Sequence, residues 1–298
     1  MINGRLEGVS DSLPWRSRLA IAAGRAAGAA SRAVGRGRGQ VIGGRVMLKI
    51  DPRLLARLSA PMLVTLVSAT NGKSTTTRMI AEALRAEGPV AHNSTGANMA
   101  AGVVTALAGA RRAGFAALEV DEAHLPALAK ATGASQLVLM NLSRDQLDRG
   151  SEVRMLAERW RRFAAGLDGK VEVVANADDP MVAWAASAAR DVTWVGCGQW
   201  WSEDSVLCPA CGTTLARPDS GWHCRGCGLS RPATDWFVTD DAAEIVTPHG
   251  RFRPRLALPG RFNVANAAIA LAAVTARGID PVAALDAFAK VTDVDGRY

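Results

Sequence analysis

An α/β fold with a mainly parallel sheet flanked by helices is predicted by three features of the sequence. Short apolar runs alternate with segments of helical periodicity through most of the chain. The stretch LVSATNGKSTTT, residues 66–77, joins one such run to a helix through a turn that carries the residues of a phosphate-binding loop. Two CxxC pairs, at 208–211 and 224–227, mark a small metal-stabilised insert that interrupts the α/β pattern.

The chain has 298 residues and is 49% hydrophobic, enough to bury a full core, so a folded globular protein is expected. No run of about 18 apolar residues occurs, and residues 1–30 lack the compact apolar centre of a signal peptide. A cytoplasmic protein without a spanning helix is therefore expected.

The elements follow in order. Arg16, Arg18, Arg25, Arg32, Arg36, Arg38 and Arg45 lie among alanines and glycines, so residues 1–45 read as a basic helical segment. Such a segment packs on the domain or meets an anionic surface. Residues 37–44 are glycine-rich and read as a hinge, 46–50 as a short strand, and Asp51-Pro52 as the start of a helix through 58. The largely apolar run 62–67 predicts a buried strand. Met79, Ile80, Ala83 and Leu84 then recur at helical spacing in 75–87, which ends at Gly88. Strands are expected at 115–120, 136–141 and 171–176, and helices at 97–109, 122–131, 151–167, 260–276 and 281–290. Each strand delivers polar residues at its carboxyl end, where parallel sheets hold their ligands.

Cys208-Pro-Ala-Cys211 and Cys224-Arg-Gly-Cys227 are separated by twelve residues. Two such turns can place four thiolates around one tetrahedral Zn²⁺, and Gly212 and Gly228 permit the tight turns required. With every position filled by sulfur, none is open for water, so the metal reads as structural. Redox disulfides are the competing reading, disfavoured in a reducing compartment. The insert spans 197–236, with Cys197 as a small buried residue and His223 as an alternative ligand. Trp194, Trp200, Trp201, Trp222 and Trp236 surround it and would supply the core that so short a segment lacks. Only Arg217, Arg225 and Arg231 supply positive charge there, so no nucleic acid is expected as a partner.

At the 66–77 turn, backbone N–H groups and the positive end of a helix suit an anion. Gly72 allows close approach, Lys73 supplies a cation for terminal phosphates, and the Ser74 or Thr75 hydroxyl can reach Mg²⁺. Position 67 is valine, so the glycine that opens an ordinary loop of this kind is missing. Glu119 ends an apolar run, where an unpaired carboxylate is costly, so a metal or cationic partner is expected; a surface or helix-capping carboxylate is the alternative.

SATNGKSTTT resembles the ATP loop of the Mur ligase family, which is shorter at its start, with Ala69 in place of a glycine. Further motifs occur in that family's order: NSTGANM (93–99), LEVDEAHL (118–125), NLSRDQLDRG (141–150), NADDP (176–180), PGRFNVANAAIA (259–270) and GRY (296–298). The cysteine insert, GGRVMLKIDP (43–52) and RDQLDR resemble more narrowly the Mur ligase-like subunit of lipid II isoglutaminyl synthases.

The resemblance implies that residues 46–298 form a Mur ligase ATP-binding central domain, and that the family's C-terminal domain is absent from this chain. It implies ATP and Mg²⁺ as cofactors beside structural Zn²⁺ at Cys208, Cys211, Cys224 and Cys227. Thr70, Asn71, Gly72, Lys73, Ser74 and Thr75 would hold the phosphates, Lys73 and Glu119 would be catalytic, and Ser74 and Glu119 would bind Mg²⁺. Asn98 would lie near the phosphates or substrate, Asn263 and Asn266 near adenine, and Arg297 near the nucleotide; helix N-capping is the alternative for the two asparagines. Asp145 and Asp148 read equally as water or metal orienters and as partners of Arg144 and Arg149. Gln146 departs from the histidine of many amino-acid-adding members, and His124 reads as a helix-surface residue.

The implied reaction is ATP-dependent amidation of the D-glutamate α-carboxylate of the lipid II stem peptide, through an acyl phosphate. Ammonia would come from a separate GatD-type glutaminase, and the membrane-borne substrate would place the protein at the inner face of the cell membrane. An amino-acid-adding ligase, or a zinc-ribbon binding protein with a nucleotide-sensing loop, are the alternatives.

Overall fold

Strand β1, Leu63–Ser68, is an interior strand of a nine-stranded sheet, third from one edge, and both of its faces are covered. The computed structural model describes residues 13–35, 39–94, 96–143, 150–198, 205–218 and 221–292. The parallel body contains β1, β2 (Val90–His92), β3 (Phe115–Glu119), β4 (Gln136–Leu139), β5 (Glu172–Asn176), β6 (Val192–Gly196) and β9 (Trp236–Val238). β10 (Ile245–Thr247) and β11 (Gly250–Phe252) extend it antiparallel, giving the order β11-β10-β9-β6-β5-β4-β1-β3-β2. β7 (Leu215–Ala216) and β8 (His223–Cys224) form a separate ribbon between β6 and β9.

The register of β1 explains its two-sided burial. Leu63 to Val67 pair with Phe115 to Glu119 on one side, and Thr65 to Ser68 with Gln136 to Leu139 on the other. With both edges occupied, alternate side chains enter opposite cores: Val64 and Leu66 one, Val67 the other. The first core is closed by α1 (Trp15–Ala33), α2 (Gln40–Ile50), α3 (Leu54–Ser59), α5 (Ala100–Gly109), α6 (Leu125–Thr132), α7 (Gly150–Ala164) and α8 (Pro180–Ala186). The second is closed by α4 (Lys73–Leu84), α9 (Arg261–Ala276) and α10 (Pro281–Phe288). α9 is buried on almost every side, from Ala267 to Val274, which accounts for its lack of an amphipathic pattern.

The expected hinge and strand at the N-terminal side are corrected by the structure. Residues 40–50 form one helix, α2, so 46–50 is not a strand and position 45 falls inside a helix. Gly43 and Gly44 act there as contact residues: a Cβ on Gly43 would lie 2.7 Å from the Gly24 carbonyl oxygen, and one on Gly44 would overlap the Ala101 carbonyl. Small residues let α2 pack closely on α1 and α5, and that tertiary gain outweighs glycine's poor helix propensity. The end of α2 is fastened by Asp51, which accepts from Ser17 Oγ and Arg57 at 2.6 Å each. β2, α8, β6 and β9 to β11 are additional elements that short or polar sequence signals do not announce. Among the described residues, no helix is long and apolar enough to cross a membrane.

Candidate active site

Sheet order brings the carboxyl ends of β3, β1 and β4 side by side, and the chain leaves β1 toward β2 and β3 before returning to β4 on its other side. This reversal opens a crevice at the β1 end, the place where parallel sheets bind ligands. Residues 69–72 fill its floor. Thr70 N donates to Asn141 O at 2.9 Å, Asn71 N to Asn141 Oδ1 at 2.9 Å, and Asn141 Nδ2 returns a bond to Asn71 O at 2.9 Å. Thr70 and Ser143 exchange further bonds at 3.0 and 3.2 Å. The loop is thus held by the segment after β4 and not by a glycine at its start.

Gly72 caps α4 at φ 83°, a left-handed conformation that disfavours other residues, and a Cβ there would lie 2.6 Å from Asn266 Oδ1. The first turn of α4 has neither a side-chain cap nor an acidic residue, so its amides face the crevice with the helix's positive end. Lys73 is 7% exposed; its Nζ folds back to donate to the carbonyls of Ala69 and Thr70, and lies 3.4 Å from Glu122 Oε2. Ser74 Oγ donates to Glu119 Oε2 at 2.7 Å, and Asn98 Nδ2 lies 3.4 Å from Glu119 Oε1.

Glu119 is 4% exposed, and among the described residues no basic side chain pairs with it. Its backbone is fixed from the other side by Asn93, which accepts from Glu119 N and donates to Glu119 O, both at 2.8 Å. Its neutral neighbours, the Ser74 hydroxyl and the Asn98 amide, leave its charge uncompensated, and a carboxylate and a hydroxyl are the oxygen ligands a hard divalent cation takes. Adjacent ligands of an octahedral Mg²⁺ stand about 3 Å apart, so Ser74 Oγ and Glu119 Oε2 are spaced to share one ion.

α9 delivers Asn263 and Asn266 to the same crevice. Neither caps the helix: Gly260 holds that position, Asn263 Nδ2 donates to Pro259 O at 2.8 Å, and Asn266 Nδ2 donates to Asn263 Oδ1 at 3.3 Å. Thr75 lies in the first turn of α4. Arg297, Asp145, Gln146, Asp148, Arg36, Arg38, Arg144, Arg149, Trp200 and Trp201 lie outside the described residues. His124 stands at the start of α6, half exposed, 2.9 Å from Asp121 Oδ1. It also borders a cavity of about 520 Å³ beside Asn98, lined further by Val41, Arg45, Leu48 and Met99.

Glu122, Asn93 and Asp179 escaped the sequence reading as site residues. Asp179 caps α8 through Met181 N and Val182 N, and also accepts from Leu142 N at 2.9 Å, so it supports the segment that holds the loop. All three lie in the motifs NSTGANM, LEVDEAHL and NADDP, where only tertiary packing distinguishes them from neighbouring polar residues.

The four ribbon sulfurs lie within 4.8 Å of one another, with Cys208 to Cys227 at 3.6 Å and Cys211 to Cys224 at 3.4 Å, and none is in a disulfide. A tetrahedral zinc with bonds of 2.3 Å needs sulfurs about 3.8 Å apart, so the cluster fits that ion. Gly212 and Gly228 turn back on Cys208 O and Cys224 O at 2.9 and 3.0 Å, closing the two knuckles. Hydrogen bonding to the Thr213 side chain and backbone holds the Cys211 thiol down, to about 6, whereas burial raises that of Cys208. Trp222 is buried, donates from Nε1 to Ala177 O at 3.1 Å, and fastens the ribbon beyond β5, while Arg231 pairs with Asp178. Cys197 is buried apart from the cluster, and burial raises its thiol well above the ordinary value.

Residues 67–205 match the family described as the Mur ligase middle domain. The chain is 29% identical over 288 residues to the lipid II isoglutaminyl synthase (glutamine-hydrolyzing) subunit MurT of Staphylococcus aureus strain COL, covering 90% of this chain and 65% of that protein. The corresponding Streptococcus pneumoniae R6 subunit is 27% identical, over 88% of this chain and 63% of the relative. The chain therefore spans about two thirds of the length of these relatives. Among solved structures, a pseudomurein peptide ligase type C from Methanothermus fervidus superposes with a TM-score of 0.61 at 23% identity, covering 79% of this chain and 50% of that one. MurF from Acinetobacter baumannii gives 0.61 at 18% identity, over 85% and 51%. The chain has the Mur ligase α/β fold, and its residues 67–205 are similar to the Mur ligase middle domain.

Proposed function

We propose that this chain is the ATP-dependent ligase component of an enzyme that amidates the D-glutamate α-carboxylate of the lipid II stem peptide. The reading is carried by one observation: Lys73, Ser74, Glu119 and Glu122 converge at the start of α4, over a loop stapled to the segment after β4. The names of the relatives supply the substrate class, and residues 46–298 would be the ATP-binding central domain, with the ribbon as an insert at 197–236.

The α4 amides and the residues of loop 70–75 would receive the phosphates, with Lys73 Nζ turning from the Ala69 and Thr70 carbonyls to the terminal phosphoryl group. Asn263 and Asn266 would border the adenine, and Arg297 would reach the nucleotide. Mg²⁺, when bound at Ser74 and Glu119, supplies positive charge that offsets the developing charge on the phosphoryl oxygens. A substrate carboxylate oxygen attacks the γ-phosphorus as the bond to ADP breaks, giving an acyl phosphate. Ammonia then attacks the acyl carbon, phosphate leaves, and the nitrogen loses a proton to give the amide. Asn98 and the cavity beside it, with Arg45 at its wall, would receive the carboxylate-bearing acceptor. Ammonia would come from a GatD-type glutaminase partner.

The test is reconstitution with that glutaminase, lipid II, ATP, Mg²⁺ and glutamine, followed by mass spectrometry of the stem peptide. Amidation of D-glutamate that needs all components supports the reading; addition of an amino acid in place of ammonia refutes it. The Glu119→Gln variant is expected to lose at least a hundredfold in rate while remaining folded, because the neutral amide cannot offset a divalent cation.

A further inference from the structure

We propose that the outward face of α1 is a docking surface for an anionic lipid bilayer. The face is defined by exposure. Ser17, Ala20, Ile21, Gly24, Gly28 and Ser31 are buried against the body, so the opposite side of the helix is turned to solvent. At 100° per residue that side carries Trp15, 75% exposed, and Leu19, 51% exposed, followed by Ala22, Ala26, Ala30 and Ala33, all exposed. Arg18, Arg25 and Arg32 recur every seven residues along one flank of this apolar stripe, and Arg16 lies on the other.

The charge distribution identifies the occupant. Residues 13–50 contain eight of the chain's 35 basic residues and none of its 28 acidic ones, which leaves the rest of the chain at −1. The positive excess therefore lies in this one stretch of sequence, and six of its eight basic residues, Arg16, Arg18, Arg25, Arg32, Arg45 and Lys49, stand on α1 and α2. None of Arg16, Arg18, Arg25, Arg32, Arg45 or Lys49 makes an ion pair among the described residues; Arg16, Arg18 and Arg25 donate to backbone carbonyls instead. The carboxylate that follows, Asp51, is 2% exposed and paired with Arg57, so it does not neutralise the face.

A basic flank alone would suit nucleic acid as well as lipid. The exposed Trp15 and Leu19 decide between them, because a phosphate backbone offers nothing for an apolar stripe to enter. A bilayer takes aromatic and aliphatic side chains at the headgroup boundary, while arginines reach from the stripe's edge to lipid phosphates. The 19 residues of α1 would lie along the surface for about 28 Å and would not cross it. This inference stands apart from the ligase reading: it rests on exposure and charge, and a lipid-linked substrate would only add a reason for it.

The full chain loaded with zinc is mixed with vesicles of phosphatidylcholine, with or without about one third phosphatidylglycerol, and sedimented. Binding to the anionic vesicles is expected, with little to the neutral ones and loss as salt rises. The variants Trp15→Ser and Arg18→Glu/Arg32→Glu are each expected to reduce partitioning at least tenfold. Their far-UV circular dichroism, zinc content and ATP binding should match the parent, which separates this proposal from the ligase reading. Four outcomes overturn it: no sedimentation with anionic vesicles; unchanged partitioning of the arginine variant; a dimer without lipid that Trp15→Ser dissolves; or retention on DNA that ignores Trp15→Ser while vesicles are ignored too.

Discussion

Replacing Gly72 by alanine tests two physical requirements at one position. The residue holds φ 83°, where a side chain costs about 1–2 kcal/mol. The added Cβ would also lie 2.6 Å from Asn266 Oδ1 and 3.1 Å from Met140 Cε. Asn266 is 7% exposed, so moving it disturbs a packed helix and its 3.3 Å bond to Asn263, a further loss of about 1–2 kcal/mol. Gly72→Ala should therefore destabilise the ligand-free protein by about 2–4 kcal/mol in urea unfolding, from these two contributions. Combining it with Asn266→Ala separates them: the double variant should regain the part due to crowding, while the backbone cost stays. ATP affinity should fall in Gly72→Ala because the loop amides are displaced. Unfolding within about 0.5 kcal/mol of the parent, or no coupling between the two positions, would refute the packing of α9 against the loop.

Three other perturbations address the remainder of the molecule. Cys224→Ser should lose stoichiometric zinc and expose residues 205–235 to proteolysis while the main sheet persists, because the ribbon's own apolar cluster is little more than Leu215 and Trp222 packed on Ala183; retention of zinc at full affinity would contradict the four-sulfur site. Burial, with Arg85 and Arg78 nearby, pushes the His92 imidazole down to about 4 from 6.5, so the unfolded chain binds the proton more readily between those values. Stability is then fullest above pH 6.5 and falls toward pH 4, by on the order of 3 kcal/mol, and His92→Gln should flatten that decline; an equal slope in both proteins argues against it. Thr76 Oγ1 is buried without a hydrogen-bond partner among the described residues, so Thr76→Val should be neutral or stabilise by up to about 1 kcal/mol, and a loss above that in thermal unfolding would reveal a bond to the hydroxyl.

Periodicity located the central strands and helices to within a few residues because both sheet faces and the helices on them bury apolar side chains. It failed at α2, where two glycines read as flexibility but serve as contact points for α1 and α5. It also passed over β2 and β9 to β11, each three residues long, whose strand state depends on neighbours supplied from elsewhere in the chain.

The sequence by itself determined the chemistry available: a GKS turn after an apolar strand, a carboxylate ending another, and four cysteines spaced for one tetrahedral ion. Those are local matters of residue type and spacing. Tertiary structure decided which groups meet. Strand order places Glu119 2.7 Å from Ser74 across 45 residues, Asn141 substitutes for the missing loop glycine as the loop's anchor, and Asn266 closes on Gly72 from a helix nearly 200 residues away. Such meetings follow from sheet order and helix packing, which depend on the burial of the whole core, and no short segment of the chain encodes them.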